Sequence, residues 1–194
     1  YHMRWFKEHL NGFNNVEIFS YGNELLGFSI AGPKSRELLD LVTDTDVSHE
    51  KFRFMEIKEI DVGMAPCIVS RVSYTGDLGY EIWMKADYQN YVFDLLLNEG
   101  KRFGIKLFGL RALNSLRLEK NFGSWTREYR PIYGPFEAEL GKFISLEKKA
   151  DFIGKNQAIR EKELGCNLRL RTFIVDAKNA DVIGDEPIWF SNKV

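Results

Sequence analysis

The segment SYTGDLGYEI, residues 73–82, constrains the fold most, because it joins two strand-like runs through a short turn. APCIVSRV precedes it, WMKAD follows it, and Gly76 and Gly79 stand three residues apart, as in a hairpin turn. A carboxylate, Glu81, then falls inside an otherwise apolar strand. The turn predicts an antiparallel pair of strands, and the carboxylate is the feature that calls for an explanation.

Predicted helices and strands are mixed along the chain without a regular alternation. Helical spacing of apolar residues predicts helices over residues 3–10, 33–43, 88–103, 108–120, 135–143 and within 150–165. Strands are predicted over 16–22, 25–32, 52–62, 65–76, 80–86, 167–177 and 186–190, and the first two read as a hairpin. Hairpins rather than strand–helix–strand units predict an α+β fold with antiparallel sheets flanked by helices.

The amino-acid composition argues against binding to nucleic acid and against insertion into a membrane. The 194 residues carry a net charge of -1, from 27 basic and 28 acidic residues, which gives no electrostatic case for binding nucleic acid or an anionic membrane. No apolar run approaches the ~20 residues of a membrane span, and residues 1–10 read as an amphipathic helix rather than a signal peptide. We therefore expect a cytoplasmic protein.

Cys67 and Cys166 are expected to be unpaired, and the scattered histidines predict no metal site.

Strand alternation leaves Glu81 with two interpretations. Glu81, Trp83 and Lys85 point to one side of the predicted strand, and Tyr80, Ile82 and Met84 to the other. Pattern alone favours a Glu81 that faces water beside Lys85. The alternative is a cleft beside Tyr74 and Trp83, where a carboxylate among aromatic rings would suit the N–H groups of a heterocycle.

Two further segments are candidates for a binding site. Arg111, Asn114 and Ser115 form a polar side of the helix FGLRALNSLRLEK, which could point into a site, although the pattern alone favours a face in solvent. The end of that helix reads as a salt-bridged terminus. The loop GSWTREYRPIYGP combines aromatic and guanidinium groups, among them Trp125 and Arg127, which suit a flat anionic ligand. The alternative is a loop whose aromatic residues only attach it to the core.

The order of these motifs resembles the aminomethyltransferase family, that is, the T-protein of the glycine cleavage system. SYTGDLGYEI, LRLEK, PFEAELGKFI and DFIG follow one another, and the early GPKSRELL fits the branch fused to dimethylglycine and sarcosine dehydrogenases. The resemblance implies a tetrahydrofolate-binding domain over residues 1–149 that lacks its N-terminal part. Residues 150–194 would be the start of a C-terminal β-barrel lobe, so the chain is expected to be a fragment.

Family membership would assign roles to several residues. It implies transfer of a one-carbon unit from a glycine-derived or N-methyl amine to tetrahydrofolate, giving 5,10-methylenetetrahydrofolate. Glu81 matches the carboxylate that bonds the pterin, Tyr74 and Trp83 lie near it in the sequence pattern, and Trp125 matches an aromatic residue that lines the folate. Expected partners are folate, a small amine, and a flavin dehydrogenase domain or a lipoyl carrier protein.

The sequence departs from the family pattern at two positions. The arginine that pairs with the folate glutamate tail is replaced by Leu113, and Arg111 is the nearest substitute. The family's central aspartate has no match, so no catalytic residue is assigned within these 194 residues. Three alternatives stay open: a folate-dependent demethylase of a sulfonium substrate, a non-catalytic or regulatory folate-binding protein, and a purely structural domain. The non-catalytic branch carries a cysteine near Ser73, which this chain lacks.

Overall fold

A computed structural model describes residues 2–10, 12, 15–179, 182–189 and 191. The chain divides into two compact units, Tyr1–Phe122 and Gly123–Val194. Among the described residues, the first unit contains a four-stranded sheet and four α-helices, and the second contains one α-helix and a series of turns. Each unit is described by itself below.

An antiparallel sheet organises the first unit. Its strands are β1 (Leu25–Ala31), β2 (Ile57–Val62), β3 (Ala65–Ser70) and β4 (Gly79–Lys85), in the order β1-β4-β3-β2. β3 pairs with both β2 and β4, so the hairpin predicted around residues 71–78 is confirmed. The α+β class with antiparallel strands, predicted from the sequence, is also confirmed.

One face of this sheet forms the core. Along β4, Tyr80, Ile82 and Met84 are buried, whereas Glu81, Trp83 and Lys85 lie on the more exposed face. Two helices cover the buried face: α2 (Ser35–Leu41) and α3 (Gln89–Gly100). Their apolar residues complete the core, chiefly Leu38, Leu39, Val92 and Leu96. Burial of this set supplies the main driving force for folding of the unit.

The remaining helices match the sequence predictions closely. α1 spans His2–His9, α4 spans Leu110–Glu119 and α5 spans Lys155–Leu164, the last in the second unit. Short 3-10 turns, Ala86–Tyr88 and Lys101–Phe103, flank α3, and a third spans Gly141–Phe143. No helix among the described residues is long and apolar enough to cross a membrane.

Two predictions in the first unit were wrong. Residues 16–22 form no strand, because the ladder of β1 is made with β4 and the preceding segment stays exposed, including Phe19 and Tyr21. The strand predicted from residue 52 begins only at Ile57. Met55 adopts a left-handed backbone with φ of 70°, which interrupts an extended strand just before that point.

Predictions in the second unit were less accurate. The helix expected over residues 135–143 is a run of turns, because Glu139 has φ of 58° and breaks the helical path. Residues 167–177 and 186–189 pair with no strand among the described residues, and Phe190 lies outside them. A strand needs a hydrogen-bonding neighbour, and the backbone contact of Leu170 is a single bond to Glu137 O at 2.8 Å. The barrel lobe stays a prediction.

Carboxylates hold the turns of the second unit. Glu161 Oε1 accepts hydrogen bonds from the backbone N–H groups of Phe136 and Glu137, at 2.9 and 3.0 Å. Glu139 pairs with Arg171 at 2.5 Å and Arg169 at 3.6 Å, and these guanidinium groups keep the pKa of Glu139 below its usual value, the hydrogen bond from Arg171 contributing most. These contacts tie the loop at residues 134–139 to α5 and to the segment after it.

Both cysteines are free thiols, as predicted. Burial raises the pKa of Cys67 to about 11. Burial also raises the pKa of Cys166, and the hydrogen bond and charge of Glu161 add to that shift. Both thiols therefore stay protonated at neutral pH and are poor nucleophiles.

Candidate ligand-binding site

A cavity of about 890 Å³ opens beside β1 in the first unit. Its walls come from β1, from the turn before α2, from one side of α3 and from the segment 103–110 that leads into α4. The lining is mainly apolar, with Phe28, Leu38, Phe93, Leu97 and Phe108 among its members. Its size and lining fall in the range of small-molecule sites.

Glu81 lies on the wall of this cavity. In the sheet it stands between Ser29 of β1 and Ser70 of β3, which are its register partners. The residue is half-buried on this wall, and its contact with a ligand stays a prediction. A second cavity of about 610 Å³ also includes Glu81 in its wall.

Tyr74 is the second residue that borders both cavities. Its ring lies nearly parallel to that of Phe122, with an interplanar angle of 17° and centroids 6.4 Å apart. The loop that carries it is braced internally, because the hydroxyl groups of Ser73 and Thr75 are 2.7 Å apart. Tyr74 and Glu81, both predicted from the sequence, are thus brought together at one site.

The loop is also attached to the end of α4. Lys120 and Asp77 form an ion pair at 3.9 Å. Gly76 has φ of 75°, and a Cβ at this position would stand 2.3 Å from Lys120 Cγ. A glycine is therefore required both for the backbone conformation and for the close approach of α4.

Other predicted site residues lie elsewhere in the first unit. Trp83 is on the same sheet face as Glu81, but it packs over Gly27 and lines neither cavity. Arg111 is exposed on α4 and also lies outside both cavity walls. Leu113, at the position where the T-protein pattern has arginine, does line the larger cavity. A ligand contact from Arg111 or Trp83 stays a prediction.

Trp125 belongs to the second unit, where half of its surface is exposed. Its neighbours in the loop make local contacts: the Tyr129 hydroxyl accepts a hydrogen bond from the Gly123 N–H at 3.2 Å. Arg130 donates to the Tyr133 hydroxyl at 3.1 Å and lies over its ring. These contacts fit the interpretation in which the aromatic residues hold the loop together, and the contact of Trp125 with folate remains a prediction.

The sequence interpretation missed two cavity residues, Lys34 and Lys106. Both are exposed and both contribute a positive charge to the cavity. Lys106 sits in FGIKLFGL, residues 103–110, where apolar residues recur without strand or helix periodicity. That irregular apolar run next to a helix was the available signal, since apolar side chains outside regular elements commonly line a pocket.

Arg71, which lines the second cavity, and Tyr80 carry buried polar atoms. Arg71 donates to the Phe52 carbonyl at 2.6 Å and bonds to His49 Nδ1 at 3.1 Å. Its Nε and the Tyr80 hydroxyl are buried and have no hydrogen-bond partner among the residues that the structure describes. Burial raises the pKa of Tyr80, and the nearby guanidinium groups of Arg36 and Arg71 lower it in part. Among the described residues, no group of three or more His, Cys, Asp or Glu is placed to hold a metal ion.

The fold and the site together define an α+β domain whose antiparallel sheet presents a half-buried carboxylate to an apolar ligand cavity. Residues 1–148 match the family described as the GCVT N-terminal domain, and the chain belongs to that family. The resemblance inferred from the motifs is thereby confirmed.

Curated relatives agree with this assignment. The chain is 37% identical over 193 residues to mitochondrial dimethylglycine dehydrogenase of Homo sapiens, covering 99% of this chain and 22% of that protein. It is 35% identical over 162 residues to an aminomethyltransferase of Caldanaerobacter subterraneus, covering 84% of this chain and 43% of that one. The chain thus spans less than half the length of either relative.

A solved structure gives a weaker match. The heterotetrameric sarcosine oxidase from Corynebacterium sp. U-96, in complex with pyrrole 2-carboxylate, aligns with a TM-score of 0.43 and 14% sequence identity. The alignment covers 50% of this chain and 49% of that chain, and the similarity is too low to bear on fold or function.

The human relative is named as mitochondrial, and the cytoplasmic location expected for this chain remains a prediction.

Proposed function

We propose that this chain binds tetrahydrofolate and serves in the transfer of a one-carbon unit from an amine. The observation that carries the proposal is Glu81, a half-buried carboxylate on the wall of an apolar cavity in a member of the GCVT family. The pterin ring presents an N–H and an amino group side by side, and a carboxylate accepts hydrogen bonds from both. Tetrahydrofolate supplies N5 as the acceptor of the one-carbon unit.

The residues around Glu81 fit such a ligand. Tyr74, like Glu81, lines both cavities, and its ring offers a flat surface to a heterocycle. Apolar side chains make up most of the remaining wall. A hydrogen bond to a charged group is stronger in such a setting than in water.

The finer parts of the proposal concern donor, product and partners. The donor is a glycine-derived or N-methyl amine, and the product is 5,10-methylenetetrahydrofolate. A flavin dehydrogenase domain or a lipoyl carrier protein would supply the one-carbon unit. The similarity to a dimethylglycine dehydrogenase over 99% of the chain supports the flavin partner over the carrier.

Calorimetric titration with 5-formyltetrahydrofolate tests the proposal. Glu81→Gln keeps the shape of the side chain and removes its charge, so we expect binding to weaken by about 1–3 kcal/mol. Glu59→Gln is the matched control, because Glu59 is an exposed strand carboxylate on β2 outside both cavities. Its affinity should equal that of the wild type.

Two results would count against the proposal. A folded wild-type chain that binds no 5-formyltetrahydrofolate would reject the folate assignment. Equal affinities for wild type and Glu81→Gln would show that folate binds without the carboxylate. Circular dichroism of each variant establishes that the fold is intact.

A further inference from the structure

We propose that Arg71 is a positioning residue: it holds the loop of residues 52–56, and this loop gives the second cavity the shape in which it receives a ligand. Phe54 and Met55 of the loop line that cavity of about 610 Å³ together with Glu81. The expected effect on folate binding rests on the proposed function, whereas the positioning of the loop does not.

Packing does not hold the part of the cavity wall that this loop forms. Phe54 is 69% exposed and Met55 is 68% exposed, so neither side chain is anchored in the core. Met55 also has a left-handed backbone with φ of 70°, which is unfavourable for a residue with a Cβ. Such a conformation persists only where surrounding contacts enforce it. The loop therefore needs other contacts to keep these two residues in place.

Arg71, the first residue after β3, supplies contacts on both sides of Met55. Its guanidinium Nη1 donates a hydrogen bond to the Phe52 carbonyl at 2.6 Å. Its backbone carbonyl accepts a hydrogen bond from the Met55 N–H at 3.2 Å, and its own N–H donates to the Glu56 carbonyl at 2.9 Å. A single residue thus holds the loop before, at and after the strained position.

His49 in turn fixes the orientation of the guanidinium. Nη2 of Arg71 lies 3.1 Å from His49 Nδ1, and because a guanidinium only donates hydrogen bonds, Nδ1 is the acceptor. Arg71 is only 8% exposed, although it lines the second cavity. Both of its terminal nitrogens are therefore engaged by the segment that precedes β2, as expected for a residue that supports the wall.

Hydrogen–deuterium exchange of the 194-residue chain tests the positioning without a ligand. The amides of residues 52–56 report on the loop, and those of α3 serve as an internal reference for the core. Arg71→Met removes the guanidinium and keeps an unbranched stem. His49→Leu removes the acceptor, and His49→Asn restores one, because the amide oxygen takes the place of Nδ1. Arg53→Met is the matched control, since Arg53 is an exposed arginine of the same loop.

We expect the loop to exchange about tenfold faster in Arg71→Met and about threefold faster in His49→Leu, since these variants lose two and one of the side-chain hydrogen bonds. His49→Asn and Arg53→Met should match the wild type. The α3 amides should exchange at the wild-type rate in every variant, because the role concerns the loop alone. In calorimetry, binding of 5-formyltetrahydrofolate should weaken several-fold in Arg71→Met and His49→Leu and should be retained in His49→Asn.

Several results would overturn the inference. Loop exchange that stays at the wild-type rate in both Arg71→Met and His49→Leu would reject the positioning role. Equal acceleration of the loop and of α3 would also reject it, because it would show a general loss of stability. If Arg71→Met does not fold, the two variants of the exposed His49 decide the question.

The ligand measurement separates this inference from the proposed function. Unchanged folate affinity in a variant whose loop exchanges faster would show that the loop does not shape the ligand site, while the folate proposal stands. If the wild type binds no 5-formyltetrahydrofolate, the proposed function fails, and the exchange rates still decide whether Arg71 positions the loop.

Discussion

Trp83 of β4 packs its ring over Gly27, its register partner on β1. A Cβ built on Gly27 would stand 2.8 Å from Trp83 Cε3 and 3.0 Å from Cζ3. The absence of a side chain at Gly27 thus lets an indole lie flat across the β1–β4 ladder. The contact sits on the exposed sheet face, two residues along the strand from Glu81.

Gly27→Ala should displace this ring. We expect the variant to lose about 1–3 kcal/mol of unfolding free energy, because the added methyl group overpacks the contact. Urea unfolding, followed by fluorescence, measures both the loss and the changed environment of the indole. In a Trp83→Ala background, Gly27→Ala should lower the unfolding free energy only slightly. If it lowers that free energy by the same amount as in the wild type, the Trp83 ring is not the cause of the loss.

Gly76→Ala should destabilise the loop between β3 and β4. The left-handed backbone costs about 1–2 kcal/mol for a residue with a Cβ, and the methyl group would also meet Lys120. Gly104→Ala is the matched control, because Gly104 has φ of 71° with nothing within 4 Å of an added Cβ. Urea unfolding should show a larger loss at Gly76, and equal losses would contradict a role for the Lys120 contact.

Alkaline pH should reveal the buried thiol of Cys67. Its folded-state pKa of about 11 lies above the ordinary value of 9.0, so the unfolded chain releases this proton first. The stability due to the protonated thiol is complete below about pH 9 and is lost as pH rises toward 11. At pH 10 the loss is roughly 1 kcal/mol.

Cys67→Ala removes that titration. The difference in unfolding free energy between wild type and Cys67→Ala should therefore shrink from pH 7 to pH 10. Urea denaturation of both proteins at the two pH values provides the measurement. A difference that stays constant would show that the thiol titrates alike in the folded and unfolded chains.

Glu161→Gln should make Cys166 more reactive. The Cys166 thiol lies 3.6 Å from Glu161 Oε1, and after burial this carboxylate is the next cause of its raised pKa. Removing the charge lowers that pKa, raises the thiolate fraction at pH 8 and should speed alkylation by iodoacetamide several-fold. Glu163→Gln, an exposed carboxylate on the same helix, should leave the rate unchanged, and a comparable acceleration there would refute a local effect.

The sequence predicted the first unit well because its patterns are strong. The alternation of side chains around Glu81 predicted that this residue faces away from the core. The apolar stripe of residues 88–103 predicted the helix α3. The prediction over residues 167–177 was wrong, because alternation in sequence cannot supply a neighbouring strand. A local sequence pattern cannot predict an element that depends on a partner segment distant in the chain.

The sequence also could not predict which side chains form contacts with one another. Arg117 reads in the sequence as part of a salt-bridged helix end, and in the structure it is buried and bonded to Asn114 and to the Phe122 carbonyl. That outcome depends on how the chain turns after α4, which no helical spacing reveals. Lys106 was missed for a related reason, since the segment that holds it follows no periodic pattern.

Glu81 and Tyr74 border two cavities at once, and this shared wall has a thermodynamic consequence. An occupant of one cavity that shifts either side chain changes the binding free energy available in the other. By linkage, the second occupant must change the affinity for the first by the same factor. Two cavities that share wall residues can thus be energetically coupled without any movement of the backbone.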